Sequence, residues 1–268
     1  MRKSHRRLRK LPGLLLFLAI FWYWNAFTLT VTRVELTSEK LKNPVTIVQL
    51  SDLHGASFGK ENRLLLEAVR KEAPDLVVLT GDLYTYGDEA GRTRALSLAE
   101  ALAEEWPVYY VNGEHDNSAS FHEALSRAGV QVLDYETAEL PEYNLCLYGI
   151  SNVYFSPTYD LHNAFTLDPS KYNLLLAHQV NAGAYASFGL DLALCGDTHG
   201  GLIRLPGLGA VYYEGRWLPE QGAEPEYLKG LYDLGGTRLF VSSGLGNYPL
   251  PLRLFNRPEI AVLYLSPK

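Results

Sequence analysis

Acids and imidazoles recur at the abrupt ends of apolar runs in this chain. They are Asp52 and His54 in Ser51-Asp52-Leu53-His54-Gly55, Asp82 after Gly81, Glu114-His115-Asp116 after Asn112-Gly113, His178 after Leu174-Leu175-Leu176-Ala177, and Asp197 and His199 in Gly196-Asp197-Thr198-His199-Gly200-Gly201. Carboxylate oxygens and imidazole nitrogens hold divalent cations, and residues two apart in extended chain project to the same side, so each Asp-x-His pair can grip one ion. A single triplet is weak evidence, because an Asp capping a turn beside a hydrogen-bonded His has the same spelling. Five strand ends in succession carrying the same donor types make a shared metal centre the expectation.

The elements that must position these donors follow from the apolar pattern. Residues 45–50, 76–79, 108–111, 174–177 and 190–195 read as buried strands. Helical spacing covers 60–72 and 89–105, and Ser118 is placed to cap a helix running through Arg127. Strands alternating with helices imply βαβ units and parallel sheet, whose carboxyl ends are where ligands bind. From Gly201 onward short strands and turns predict an antiparallel arrangement, closed by a strand over 260–265.

Composition bounds the function. Hydrophobic residues make up 47% and charged residues 20% of the 268, an ordinary globular balance. Six of the 24 Lys and Arg fall within residues 1–10, which hold no acid, so the remaining 18 face 30 Asp and Glu and the body carries −12. Such a body is a poor non-specific nucleic-acid binder. Residues 11–31 hold no charge, and a run of about 20 such residues matches the hydrocarbon core of a bilayer. The expected organisation is a basic cytoplasmic segment at 1–10, a transmembrane anchor at 11–31, a linker or first strand at 32–44, and the functional domain at 45–268 outside the cytoplasm. Basic residues stay inside, and Trp22, Tyr23 and Trp24 suit the far interface. A cleaved signal would want an A-x-A-like site that Asn25-Ala26-Phe27-Thr28 does not supply. A twin-arginine signal at Arg6-Arg7 would want apolar residues where Arg9 and Lys10 stand. Cys146 and Cys195, both in apolar runs, read as buried thiols.

The order Asp-x-His, Gly-Asp, Gly-Glu-His-Asp, His178 and Gly-Asp-Thr-His resembles the calcineurin-like metallophosphoesterase family over about residues 45–265. Thr198-His199-Gly200-Gly201, Arg204-Leu205-Pro206-Gly207, the stretch 241–246 and Arg253 through Ile260 are similar to its membrane-anchored bacterial branch. The resemblance implies an α/β fold, a two-sheet sandwich flanked by helices, here with one N-terminal transmembrane helix. It implies two divalent ions bridged by Asp82 and about 3.5 Å apart. Asp52, His54 and His199 would complete the first ion's ligands; Glu114, His178 and Asp197 fall at the second. Metal-activated water would attack phosphorus, His115 would donate to a phosphate oxygen or protonate the leaving oxygen, and Asp116 would orient its ring. Two departures from the family pattern fall on the second ion: Glu114 stands for Asn and Asp197 for His. With Asp52 and Asp82 they would bring −4 to two dications. Harder oxygen donors favour Mn²⁺ or Mg²⁺ there over Zn²⁺, with Fe a further candidate.

The expected activity is therefore hydrolysis of a phosphomonoester or phosphodiester at the membrane, lipid-linked esters included. The alternative is a catalytically weak, membrane-tethered binding protein of the same fold. Elsewhere, His122 and His162 read as surface residues. Residues 152–168 and Tyr84 and Tyr86 either shape a pocket or simply pack. Leu202 stands where the related branch carries Gln. Arg253 and Arg257 either meet phosphate or make ion pairs, the second being the expectation.

Overall fold

A computed structural model of the chain describes residues 11–151, 160–213, 216, 217 and 227–268. Two six-stranded sheets face one another. With strands numbered in chain order, the first sheet runs β1 (Thr30–Ser38), β15 (Glu259–Pro267), β2 (Val45–Leu50), β3 (Leu76–Thr80), β4 (Val108–Val111) and β5 (Gln131–Val132). The second runs β13 (Gly230–Asp233), β14 (Arg238–Val241), β9 (Leu192–Cys195), β8 (Tyr172–Leu176), β7 (Leu145–Gly149) and β6 (Glu136–Leu140). A three-stranded sheet of β10 (Ile203–Leu205), β11 (Gly209–Tyr213) and β12 (Arg216–Trp217) stands apart.

The central strands are apolar on both faces because both faces are covered. Ile47 and Val78 of the first sheet meet Leu174, Leu176, Leu194 and Phe240 of the second in the layer between sheets. The outer face of the first sheet packs on α2 (Arg63–Lys71), α3 (Glu89–Ala103) and α4 (Ala119–Arg127). That of the second packs on α5 (Ala182–Phe188). Ser118 caps α4 as its position predicts, accepting from the Phe121 N–H. The helix expected from residue 60 starts later, at Arg63, because Glu61 and Asn62 are left-handed.

β2, β3 and β4 run parallel, with Leu50 opposite Leu79 and Thr80 opposite Val111. β8, β9 and β14 also run parallel, with Leu176 opposite Leu194 and Cys195 opposite Val241. This register lays six carboxyl ends at one pole of the sandwich. The antiparallel expectation for the second half holds for β10–β11–β12 and for β13 with β14, but β14 joins β9 in parallel. β14 enters beside β9 as the next parallel member, a choice that local turn chemistry does not encode.

At the N-terminal side, α1 (Leu11–Phe27) is apolar on every side and stops two residues before β1. Among the described residues no helix is long and apolar enough to cross a membrane. The uncharged run 11–31, expected as one membrane-spanning segment, is helical as far as Phe27. Thr30 and Val31 belong to β1, where β-branched residues pair in parallel with Glu259 and Ile260.

Arg253 is fully buried, donating from Nε to the Gly246 carbonyl and from its two terminal nitrogens to the Asn256 and Ser243 carbonyls. Its guanidinium is thus spent on backbone rather than on an exposed ion pair. Arg257 lies over the Trp24 ring at 4.7 Å and donates to the Thr28 and Leu29 carbonyls at the end of α1. Arg253→Met would strand three buried carbonyl oxygens, so a loss of about 3 kcal/mol in unfolding free energy is expected in a denaturant titration.

Candidate metal centre

Five of the seven predicted donors leave their strands in strained turns. Asp52, His54, Asp82, Asp197 and His199 have φ of 50°, 46°, 54°, 72° and 49°, in the left-handed region that residues with a Cβ seldom occupy. The strain is held by bonds between neighbouring loops. Asp52 N–H donates to the Gly81 carbonyl and His54 N–H to the Asp82 carbonyl. Asp52 Oδ1 accepts the Asp197 N–H at 3.0 Å, and Asp82 Oδ1 accepts the His115 N–H at 2.9 Å. Gly113 is obligatory here, since a Cβ on it would lie 2.1 Å from Asp82 Oδ1.

With Oδ1 holding backbone, Asp82 turns Oδ2 inward. Asp82 Oδ2 lies 3.4 Å from His178 Nε2 and 3.6 Å from His54 Nε2. His178 Nε2 is also 3.6 Å from Asp197 Oδ1 and 3.9 Å from Asp52 Oδ1. His54 and His199 bring their Nε2 atoms to 3.2 Å of one another. Ligand atoms of Asp52, His54 and His199 lie within 4.8 Å of one another; so do those of Asp52, Asp82 and His178, and those of His54, Asp82 and His115. The first two groups share Asp52, and Asp82 stands close to both.

The donor set fits divalent ions on direct observations. Asp52 Oδ2 and His178 Nε2 are buried without a hydrogen-bond partner, and both residues belong to the cluster. His178 Nδ1 is committed to the Thr80 carbonyl at 2.8 Å, which fixes the ring with Nε2 toward the acids. Electrostatics agree. Burial pushes the Asp52 carboxyl up to about 7, with His178 opposing. Burial would also raise Asp82, but His178 and then His54 hold it below the usual carboxylate range. Burial disfavours the His178 imidazolium, yet Asp82, Asp52 and Asp197 together lift it well above ordinary imidazole. Burial pushes His54 down to about 3 despite Asp82. A site that draws a proton onto His178 this strongly is one whose acids call for cationic charge, which divalent ions supply with release of that proton.

The remaining predicted residues are placed differently. Glu114 is exposed, and its Oε1 accepts from Gln179 Nε2 at 2.7 Å, outside the three close groups. Asp116 is buried and accepts the Leu83 and Gly113 N–H groups, both at 2.7 Å, so it clamps two loops rather than orienting the His115 ring. Burial, with Asp82 adding, pushes it up to about 6 against those two N–H groups. The His115 ring is instead set edge-on to His54 and to Tyr248, at 5.2 and 4.7 Å between centroids.

Tyr248 was not among the expected residues. It stacks on His54 at 4.5 Å and, with Pro249, walls a cavity of about 340 Å³ that also opens onto Asp82, Glu114, Asp197, Leu202, Tyr212 and Tyr213. Its signal was the loop after β14, but an aromatic residue before a proline carries no ligand chemistry to mark it. Tyr84 packs on Phe121 and Tyr86 is exposed, so neither forms a cavity wall. Of the expected surface histidines, His162 is exposed and pairs with Asp160, whereas His122 is half-buried against Tyr110. The Asn152-to-Tyr159 part of the aromatic connection lies outside the described residues. Both cysteines are buried and free.

The match that decides kinship covers residues 45–201, which align with the calcineurin-like phosphoesterase family. The chain belongs to that family. It is 28% identical to the metallophosphoesterase YkuE of Bacillus subtilis over 91% of this chain and 90% of that one. It is 30% identical to a metallophosphoesterase of Helicobacter pylori over 94% of this chain and 70% of the relative. It is 28% identical over 88% of its length to a cattle protein named as a transmembrane protein with a metallophosphoesterase domain, covering 57% of that protein. The family is one of phosphoester hydrolases with a dinuclear divalent metal centre, and the clustered acids and histidines supply candidate ligands for it here.

Mn²⁺ at about 100 times its Kd is expected to add about 2.7 kcal/mol to stability, seen as a rise in Tm. Asp82→Asn should remove most of that rise. Gly113→Ala should weaken Mn²⁺ binding in calorimetry on the order of 10–100-fold by displacing Asp82.

Proposed function

We propose that this protein hydrolyses a phosphomonoester or phosphodiester at a two-ion centre while attached to the bacterial cell membrane through α1. The observation that carries the reading is the pair of buried groups sharing Asp52, one with His54 and His199 and the other with Asp82 and His178, open to one cavity. Asp52, His54, Asp82 and His199 would hold the first ion; Asp82, His178 and Asp197 would hold the second, with Glu114 at the rim. Bound ions of this kind supply a water of lowered pKa and polarise phosphoryl oxygens. Mn²⁺ is the favoured metal because three carboxylates enter the cluster.

The chain's own groups then do the rest. His115, with its backbone tied to Asp82 and its ring edge-on to the stacked pair of His54 and Tyr248, faces the cavity where it can donate to a phosphoryl or leaving-group oxygen. Tyr212, Tyr213, Tyr248 and Leu202 give the cavity an apolar side suited to the organic part of an ester. Because Glu114 is exposed and bonded to Gln179 while Asp197 Oδ1 lies 3.6 Å from His178 Nε2, the expected −4 becomes −3 from Asp52, Asp82 and Asp197, and two dications would retain +1 for phosphate.

Membrane attachment is supported by the exposure of Leu14 through Ile20 on α1, by six basic residues preceding it, and by the name carried by the cattle relative. The chain is read as single-pass, with its N-terminus cytoplasmic and the catalytic body on the outer side, where lipid-linked phosphates are within reach.

The test is hydrolysis of an aryl phosphate monoester and diester by the full chain with Mn²⁺, Mg²⁺ or Zn²⁺. Metal-dependent turnover is expected, falling below detection in Asp82→Asn and by about 10²–10⁴-fold in His115→Ala. A folded, Mn²⁺-binding protein inert toward every ester would instead favour a tethered binding protein. Asp197→His should shift preference toward Zn²⁺, and an unchanged metal order would show that this carboxylate does not set it.

A further inference from the structure

The helix α1 is not a leash. It reaches β1 after two residues, and its last turns are fastened to the segment 247–257. Trp22 Nε1 donates to the Pro251 carbonyl at 2.6 Å, the Phe255 N–H donates to Asn25 Oδ1 at 2.7 Å, and Asn247 donates to the Ala26 carbonyl at 2.7 Å. Phe21 meets Phe255 edge-on at 5.4 Å. The same segment carries Tyr248 and Pro249 of the cavity wall.

The loop Pro249-Leu250-Pro251-Leu252-Arg253-Leu254-Phe255 has the surface of a lipid-facing element. Leu250, Leu252 and Phe255 are 56%, 45% and 47% exposed. Its one charge, Arg253, is buried and spent on backbone carbonyls. Pro249 and Pro251 have no N–H, while the N–H groups of Leu252, Leu254 and Phe255 are taken by Leu250, Leu202 and Asn25. Satisfying donors internally is what backbone in contact with hydrocarbon requires.

From this we infer that the loop 249–255 is a second membrane-contact surface, seated in the interfacial layer beside the Trp22–Trp24 end of α1. The inference rests on the membrane attachment proposed above. A bilayer is the occupant because the patch continues the exposed apolar face of α1, and because the basic residues 1–10 complement anionic headgroups. The two contacts fix the height of the cavity, so its mouth opens at headgroup depth and takes phosphoesters presented from the leaflet.

The experiment uses the full chain in phosphatidylethanolamine–phosphatidylglycerol vesicles, with an environment-sensitive fluorophore on Leu252→Cys. Glu142→Cys, on the turn between β6 and β7 at the opposite pole, serves as control. Expected are flotation of both proteins with the vesicles, a blue shift at 252 alone, and loss of its emission with doxyl-labelled lipid but not with aqueous iodide. Flotation with a 252 probe quenched by iodide and not by doxyl lipid would overturn the second contact while leaving α1 as the anchor. A probe shielded from both quenchers would assign the patch to a second copy or another protein and overturn it equally. Failure to float would overturn the anchor and this inference together.

Discussion

The structure turns on carboxylates that hold backbone and face the centre at once. Asp82 accepts the His115 N–H through Oδ1 and leaves Oδ2 for the centre, whereas Asp52 Oδ1 both accepts the Asp197 N–H and faces His178 and His199. Neither job works without the other. Left-handed φ at five donor residues costs of order 1–3 kcal/mol each, so the loops adopt it only where their neighbours over-determine it. Asp116 closes the same circuit between the loops after β3 and β4. Because the clamps join one strand end to the next, the parallel register of the two sheets is the real determinant of where the donors meet.

Outside that ring the support is apolar and ionic rather than strained. Lys229 and Glu259 pair at 3.3 Å, and Glu259 also accepts from Thr32 and from the backbone and hydroxyl of Ser243. Asn256 accepts from Lys229 and donates to the His199 carbonyl at 2.7 Å. The block Arg253 through Ile260 thus holds the His199 loop against β1 and β15 without touching the cavity. Burial drives the Lys229 ammonium down in pKa, and Glu259 opposes it; burial would raise Glu259, but Lys229 together with the Ser243 and Thr32 hydrogen bonds holds it below its ordinary range. A buried pair of this kind is weak evidence for stability, and its value here lies in setting one geometry for a loop whose residues are strained.

Donor chemistry was legible in the sequence because metal ligands need particular atoms at strand ends, and apolar runs announce strand ends. Asp52, His54, Asp82, His178, Asp197 and His199 all come together in the structure. What sequence could not distinguish is which oxygen of a carboxylate points where. Asp116 beside His115 reads as an orienting acid, yet the tight turn aims it at two backbone N–H groups. Glu114 has the right chemistry, but its longer side chain reaches Gln179 at the rim. Tyr248 was invisible for the opposite reason, since stacking on an imidazole needs no special spacing. The end of α1 was misjudged because Thr28 through Val31 is uncharged in a membrane and in a strand alike, and only the pairing with β15 separates the two.

The two departures from the family pattern are not equivalent, and geometry says why. Asp197 sits on the short loop after β9, its N–H fixed by Asp52, so its carboxylate cannot withdraw far from His178. Glu114 follows Gly113 on an exposed turn and has a partner of its own. An obligate anion in the cluster lowers the net charge and hardens the second ion's surroundings, whereas an anion at the rim acts on whatever approaches. Glu114 therefore sets its negative charge at the mouth of the cavity, where it bears on any charged group that enters, while Asp197 bears on the cluster itself.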